Sequence, residues 1–169
     1  MIKRQTFKNC IIEFFDDYVD KYYTSRSEKL IPFNEEMAIH ELAATAGLAA
    51  ELVFVDYEKQ MCRMKKYKPI TIINKEIIMK CLDLITKFHS LGYYHGDVRL
   101  ANILQKENGD VLFIDFEYAK KIEKNPWNDL QNYVSRKYDY KKFYYFFYDH
   151  GYSDIEWLEK YYLQNKYLP

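Results

Sequence analysis

The spacing of apolar positions alternates between strand and helix character along the chain. In "TFKNCIIEFFDDYVDKYYTS" the residues are mostly β-branched or aromatic, with Asp16-Asp17 as a polar break. That pattern predicts a hairpin of two strands, from Cys10 to Phe15 and from Tyr18 to Tyr23. The next segment, "FNEEMAIHELAATAGLA", offers Asn34 as an N-cap, Glu35 and Glu36 where the helix dipole favours acids, an alanine-rich body and Gly47 as terminator. It predicts a helix of about three turns. Two further strands, from Glu51 to Asp56 and from Met61 to Tyr67, flank a charged turn. From Asn74 the period becomes helical again. Ile77, Ile78, Cys81, Leu82, Leu84, Ile85, Phe88 and Leu91 fall on one face, with Asn74 as cap and Gly92 as stop. Then "NILQ" and "VLFIDF" flank "KENGD", where Asn108-Gly109 is expected to take the positive φ angles of a tight hairpin. Beyond Asn125 two helical stretches are expected, from Asn128 to Gly151 and from Ser153 to Leu168.

A chain of 169 residues can form one core, or two small lobes sharing a cleft, so one folding unit is expected. Lysine plus arginine and aspartate plus glutamate both total 25, so no global field draws the chain to nucleic acid or anionic lipid. No nucleic-acid partner is expected. Cys10, Cys62 and Cys81 are odd in number and lack a CxxC spacing, which suggests neither a disulfide framework nor a zinc site and fits a reducing cytoplasm. The opening "MIKRQTFKNC" lacks the apolar run of a signal peptide, and no stretch is long and apolar enough for a membrane span. A soluble, cytoplasmic protein is the expectation. The aromatic run "YDYKKFYYFFYDHGY" has no clustered cations of the kind that accompany base stacking, and reads as a helix packed into a small lobe.

The chemistry is concentrated between Tyr93 and Lys120. His95, Asp97 and Asn102 stand as HxDxxxxN, and Asp115 ends an apolar strand in "IDFE", so the intervening hairpin brings two carboxylates and an amide to one end. Phosphoryl transfer from ATP needs such a set. A carboxylate orients the attacking hydroxyl and accepts its proton, while an Asp and an Asn offer hard oxygen ligands to the Mg²⁺ that neutralises the β- and γ-phosphates. His40, His89 and His150 share no ligand spacing and are assigned no site.

On these residues the chain resembles the protein-kinase-like superfamily, in the branch of aminoglycoside and choline kinases, lipopolysaccharide-sugar kinases and the small Bud-thirty-two-type kinases. "HGDVRLANIL" resembles their catalytic loop, and "IDFEYA" resembles their metal-binding strand, with an acid in place of the glycine of DFG. The resemblance implies Asp97 as catalytic base, Asn102 and Asp115 as metal ligands, and His95 as a brace behind the loop. It extends over roughly residues 10–135. "YVDKYY" is similar to the third strand of the N-lobe, implying that Lys21 grips the α- and β-phosphates, with Glu36, or Glu35 beside it, as its partner. The strand exit from Arg63 to Tyr67 is implied as the hinge facing adenine, and Asp129 in "NPWNDL" as the acceptor of hydrogen bonds from the catalytic loop.

Three departures shape the expectation. No glycine precedes Gly47, so the glycine-rich loop is missing or replaced by the Asp16-Asp17 turn, whose carboxylates would repel phosphate. The segment between Asp115 and Asp129 is too short for a phosphorylatable activation loop. Arg99 stands two residues after Asp97, where Ser/Thr protein kinases carry a lysine that contacts the γ-phosphate, and a guanidinium can make that contact. The expected fold is therefore α+β and bilobal: residues 1–68 as an antiparallel N-lobe sheet of four or five strands with one helix, and residues 69–169 as a reduced, mainly helical C-lobe. The expected activity is ATP- and Mg²⁺-dependent transfer to a hydroxyl acceptor, a small molecule or lipid-linked sugar. A small Ser/Thr protein kinase and a pseudokinase acting as an interaction module are the alternatives.

Overall fold

The computed structural model describes residues 3–24, 30–122 and 139–143. Its strands are β1 (Lys3–Thr6), β2 (Cys10–Phe14), β3 (Tyr18–Tyr23), β4 (Leu52–Asp56), β5 (Met61–Lys65), β6 (Lys68–Pro69), β7 (Tyr93–Tyr94), β8 (Ile103–Gln105), β9 (Val111–Phe113) and β10 (Lys120–Lys121). The helices are α1 (Phe33–Thr45) and α2 (Lys75–Ser90), with a 3₁₀ turn at Leu100–Asn102 and helical residues 139–143. One antiparallel sheet has the order β1-β2-β3-β5-β4; a second runs β6-β8-β9, and β10 pairs β7. The architecture is α+β, as expected. Most of the two expected C-terminal helices lies outside the described residues. Among those described, no helix is long and apolar enough to cross a membrane.

β1 was not expected. Its four residues, KRQT, are polar and mostly exposed, so no apolar alternation marks them; the register Lys3↔Phe14 to Thr6↔Ile11 on β2 makes the strand. In β3, adjacent side chains go to opposite faces. Asp20 pairs with Arg63 across the β3–β5 register, while Lys21 stands opposite Cys62. Arg63 is therefore on the face away from Lys21. Its guanidinium lies 3.9 Å from the Tyr18 ring centroid and donates two hydrogen bonds to Asp20, so it braces the sheet and is not part of a hinge at the strand exit.

Asn34 does not cap α1: the helix begins at Phe33 after Pro32, whose carbonyl accepts from Glu36 N. Asn74 does cap α2, its Oδ1 accepting from Ile77 N at 2.9 Å. In the β8–β9 loop only Gly109 has a positive φ, +84°; Asn108 turns its side chain onto Asp110 N instead, so the loop is wider than a two-residue hairpin. The inner face of α2 packs Cys81, Leu84, Ile85 and Phe88 against Phe113, Phe116 and Phe143 in one core. A second, under the main sheet, joins Phe33 and Met37 of α1 to Cys62, Met64 and Leu112. α1 faces both, since Ile39 and Ala43 belong to the first core. It holds the sheet against the segment that carries the site.

Candidate active site

Behind α2, Gly92 turns the chain at φ +87° into β7 and the loop His95–Gly96–Asp97. His95 is fully buried among Phe88, Phe113 and Phe116, and its Nε2 bonds the Ile114 carbonyl at 3.1 Å. Burial pushes its imidazole below the usual histidine range. Gly96 has φ +78°, and a Cβ there would overlap the Tyr118 carbonyl oxygen, so only glycine fits. The loop backbone is pinned by Asp139. Its Oδ2 accepts from His95 N and its Oδ1 from Gly96 N, each at 2.8 Å, while Oδ2 also meets His89 Nε2 at 3.0 Å.

Asp97 sits at the mouth of this loop with donors on both oxygens. Asn102 Nδ2 donates to Oδ2 at 2.9 Å and to the Asp97 carbonyl at 3.0 Å; Arg99 Nε lies 3.0 Å from Oδ2, and Lys142 Nζ lies 3.1 Å from Oδ1. The 3₁₀ turn at Leu100–Asn102 swings Asn102 back over Asp97. Ile114 N donates to the Asn102 carbonyl, which seats the residue before Asp115 directly against the same loop.

Asp115 follows β9 at φ +67°, a left-handed conformation that a non-glycine residue holds only when its surroundings enforce it. Its carboxylate meets Lys21, whose Nζ donates to Asp115 Oδ1 at 2.7 Å across 94 positions of sequence. Burial alone would lower the lysine's pKa, but the charge and hydrogen bond of Asp115 outweigh it and hold the ammonium above its ordinary value. For Asp115, burial pulls upward and Lys21 overcomes it, leaving the carboxyl below the usual range.

Glu36 requires a correction. It is buried, 1% exposed, on the inner face of α1, but it does not pair with Lys21; its Oε1 accepts from Tyr23 Oη at 2.6 Å. Tyr23 shares the Lys21 face of β3, and the Lys21 ammonium lies 4.5 Å from its ring centroid. Glu35 points to solvent.

The Asp16-Asp17 turn is also not where the phosphates were expected. It lies at the end of the sheet where Lys66 N donates to the Asp17 carbonyl. Because β1 precedes β2, the turn at the Lys21–Asp115 end is Phe7-Lys8-Asn9, closed by Phe7 N to Cys10 O and Thr24 N to Asn9 O. Cys10 is near enough that Lys21, Asp115 and Glu117 all act on its thiol, although burial is what chiefly raises its pKa. A lysine, not a carboxylate pair, thus borders that end. Asp129 lies outside the described residues. The loop anchor that sequence reasoning missed is Asp139, and Lys142 was missed with it; the signal was polar residues at an i, i+3 spacing inside an aromatic run.

The donor set suits a hard divalent cation shared with phosphate. With its Nδ2 on Asp97, Asn102 keeps a nearly buried Oδ1 that receives no hydrogen bond among the described residues, and Asp115 keeps Oδ2 the same way. Two protein oxygens, with phosphate oxygens and water completing the shell, is the style of Mg²⁺. No group of three or more His, Cys, Asp or Glu among the described residues could hold a metal by itself.

The RIO-type serine/threonine-protein kinase Rio2 of Methanocaldococcus jannaschii is 30% identical over 74 residues, spanning 38% of this chain and 27% of that protein. The chain thus corresponds to only about a quarter of that relative. Choline kinase LicA from Streptococcus pneumoniae superposes with a TM-score of 0.59 at 14% identity, covering 99% of this chain and 75% of that one. Monomeric WbdD superposes with a TM-score of 0.57 at 18% identity, covering 92% of this chain and 40% of that one. These two structures share the fold. The sequence model of the lipopolysaccharide kinase (Kdo/WaaP) family matches residues 54–138, half of the chain, from β4 through the loop and hairpin that carry Asp97, Asn102 and Asp115. The chain belongs to the lipopolysaccharide kinase (Kdo/WaaP) family, within the protein-kinase-like superfamily.

Proposed function

We propose that the chain is an ATP- and Mg²⁺-dependent phosphotransferase that moves the γ-phosphate to a hydroxyl of a lipid-linked sugar or comparable small molecule. The observation that carries this reading is the 2.7 Å contact of Lys21 with Asp115, which joins a β3 cation to the carboxylate beside the Asp97–Asn102 loop. In the reaction the acceptor oxygen bonds to the γ-phosphorus as the bridging P–O bond breaks, and that electron pair leaves with ADP. The acceptor's proton passes to the Asp97 carboxylate. Lys21 grips the α- and β-phosphates, releasing Asp115 to the metal side, and Arg99 faces the transferred group from the exposed rim. Asn102 Oδ1 and Asp115 would hold Mg²⁺, which when bound neutralises charge on the β- and γ-phosphates. The family membership supports a lipid-linked sugar as acceptor. Arg99 and the Rio2-type relative, named a serine/threonine-protein kinase, favour a protein hydroxyl as the second reading.

Thermal denaturation with ATP tests the nucleotide site. Binding raises the melting temperature by mass action, here only when Mg²⁺ is present, and Asp115→Asn abolishes the rise. Transfer of labelled γ-phosphate to sugar, choline, aminoglycoside and protein acceptors then identifies the acceptor class and is lost in Asp97→Ala. No shift at about millimolar ATP, a ligand level in the usual enzyme range, would instead support an interaction module without turnover.

A further inference from the structure

We propose that Lys142 is a positioning residue for phosphoryl transfer, holding the Asp97 carboxylate by Oδ1 so that its other oxygen meets the acceptor hydroxyl. The inference rests on the phosphotransferase reading above and adds to it a residue from outside the catalytic loop.

The helical residues 139–143 carry both Asp139 and Lys142. On a helix, positions three apart share a face, so the two side chains reach the same loop from one helical turn. Asp139 fixes that turn to the loop through the main-chain N–H groups of His95 and Gly96. Lys142 then delivers its ammonium to Asp97 Oδ1 at 3.1 Å and to the Gly96 carbonyl at 3.3 Å. The distance between base and backbone is thus set by one cation bound to both. The Oδ2 side is different: Asn102 holds it from within, and Arg99, whose side chain is 54% exposed, covers it from solvent. Arg99 is the donor that an incoming hydroxyl can displace, while Lys142 stays. A carboxylate rotates easily about its last torsion, and a base displaced by about 1 Å can lose on the order of 100-fold in rate. An ion pair this exposed adds little to stability, so its effect is expected in orientation.

The test pairs labelling with kinetics on the whole chain. Acylation of lysines followed by mass spectrometry is expected to modify Lys142 slowly in the wild type and several-fold faster in Asp97→Asn, while exposed Lys120 reacts equally in both. Equal rates for Lys142 overturn the contact. In hydrolysis of labelled ATP with Mg²⁺, Lys142→Met is expected to lower kcat by about 10- to 100-fold, the cost of a misplaced catalytic group. The KM for ATP and the ATP-induced thermal shift stay unchanged, and Lys142→Arg recovers most of kcat. Turnover that Lys142→Met leaves intact overturns the role of Lys142 alone, and so does a loss of nucleotide binding with it. A wild type that turns over no ATP overturns the phosphotransferase reading itself, whatever the labelling shows.

Discussion

Lys21 and Asp115 are unequally buried, and the inequality decides what each substitution does. The lysine side chain is 9% exposed and the aspartate 24%. Asp115→Ala leaves an ammonium in the interior without its hydrogen-bonded counter-charge, and breaking a buried pair in that way costs roughly 3–5 kcal/mol, here toward the lower end because water reaches Asp115. Lys21→Met leaves a carboxylate that can turn to solvent, and the methionine fills the space of the lysine stem, so about 1–2 kcal/mol is expected. Urea denaturation should therefore rank Asp115→Ala below Lys21→Met, and the reverse order would mean that Asp115 draws its stability from elsewhere. The types of these residues were legible in the sequence. Strand alternation sets Lys21 on one face of "YVDKYY", and the apolar run "VLFI" ends at Asp115. The partner of Lys21 was not legible, because nothing local shows that Asp115, 94 positions away, meets its ammonium while Glu36 accepts from Tyr23 Oη.

At the scale of elements, the catalytic-type loop depends on an acceptor from far along the chain. A carboxylate accepts only, which suits Asp139 to three converging donors, His95 N, Gly96 N and His89 Nε2. Asp139→Ala strands two buried main-chain N–H groups at about 1–3 kcal/mol each, so a loss of roughly 2–6 kcal/mol is expected. Asp139→Asn is a partial rescue, since its Oδ1 can keep His95 N and His89 Nε2 while its amide turns a donor toward Gly96 N, and it should fall between the wild type and the alanine variant. Chemical denaturation measures both, and near-wild-type stability for the alanine variant would show that the three bonds do not hold the loop. The long helix α2 and the strands β2, β3, β5, β8 and β9 were readable because each has its own apolar period or cap. β1 was not, since main-chain register alone makes it a strand, and missing it put the wrong turn at the Lys21 end of the sheet. Asp139 escaped for a related reason: a polar residue in an aromatic helix has no local pattern to show what it caps.

For the molecule as a whole, α1 joins the two cores, and the group at that junction titrates. His40 lies on the inner face of α1, 2% exposed, with its Nε2 2.7 Å from the Ala50 carbonyl and its ring beside Phe116. Burial lowers its pKa from 6.5 to about 4, although the Ala50 carbonyl pulls the other way. Between those values the unfolded chain binds the proton and the folded protein does not, so stability is complete above about pH 6.5 and declines as the pH falls toward 4. The full shift is worth about 3 kcal/mol at 1.36 kcal/mol per pH unit. Burial acts on His95 in the same direction, and Asp115, held below its ordinary value of 3.8, adds its own loss only at still lower pH. His40→Gln can keep a donor on the Ala50 carbonyl while removing the titration, so its melting temperature should vary less with pH between 6.5 and 4 than that of the wild type, whatever its value at neutrality. Parallel curves for the two proteins would mean that acid opens the fold somewhere other than the seam between the sheet and the β8–β9 hairpin.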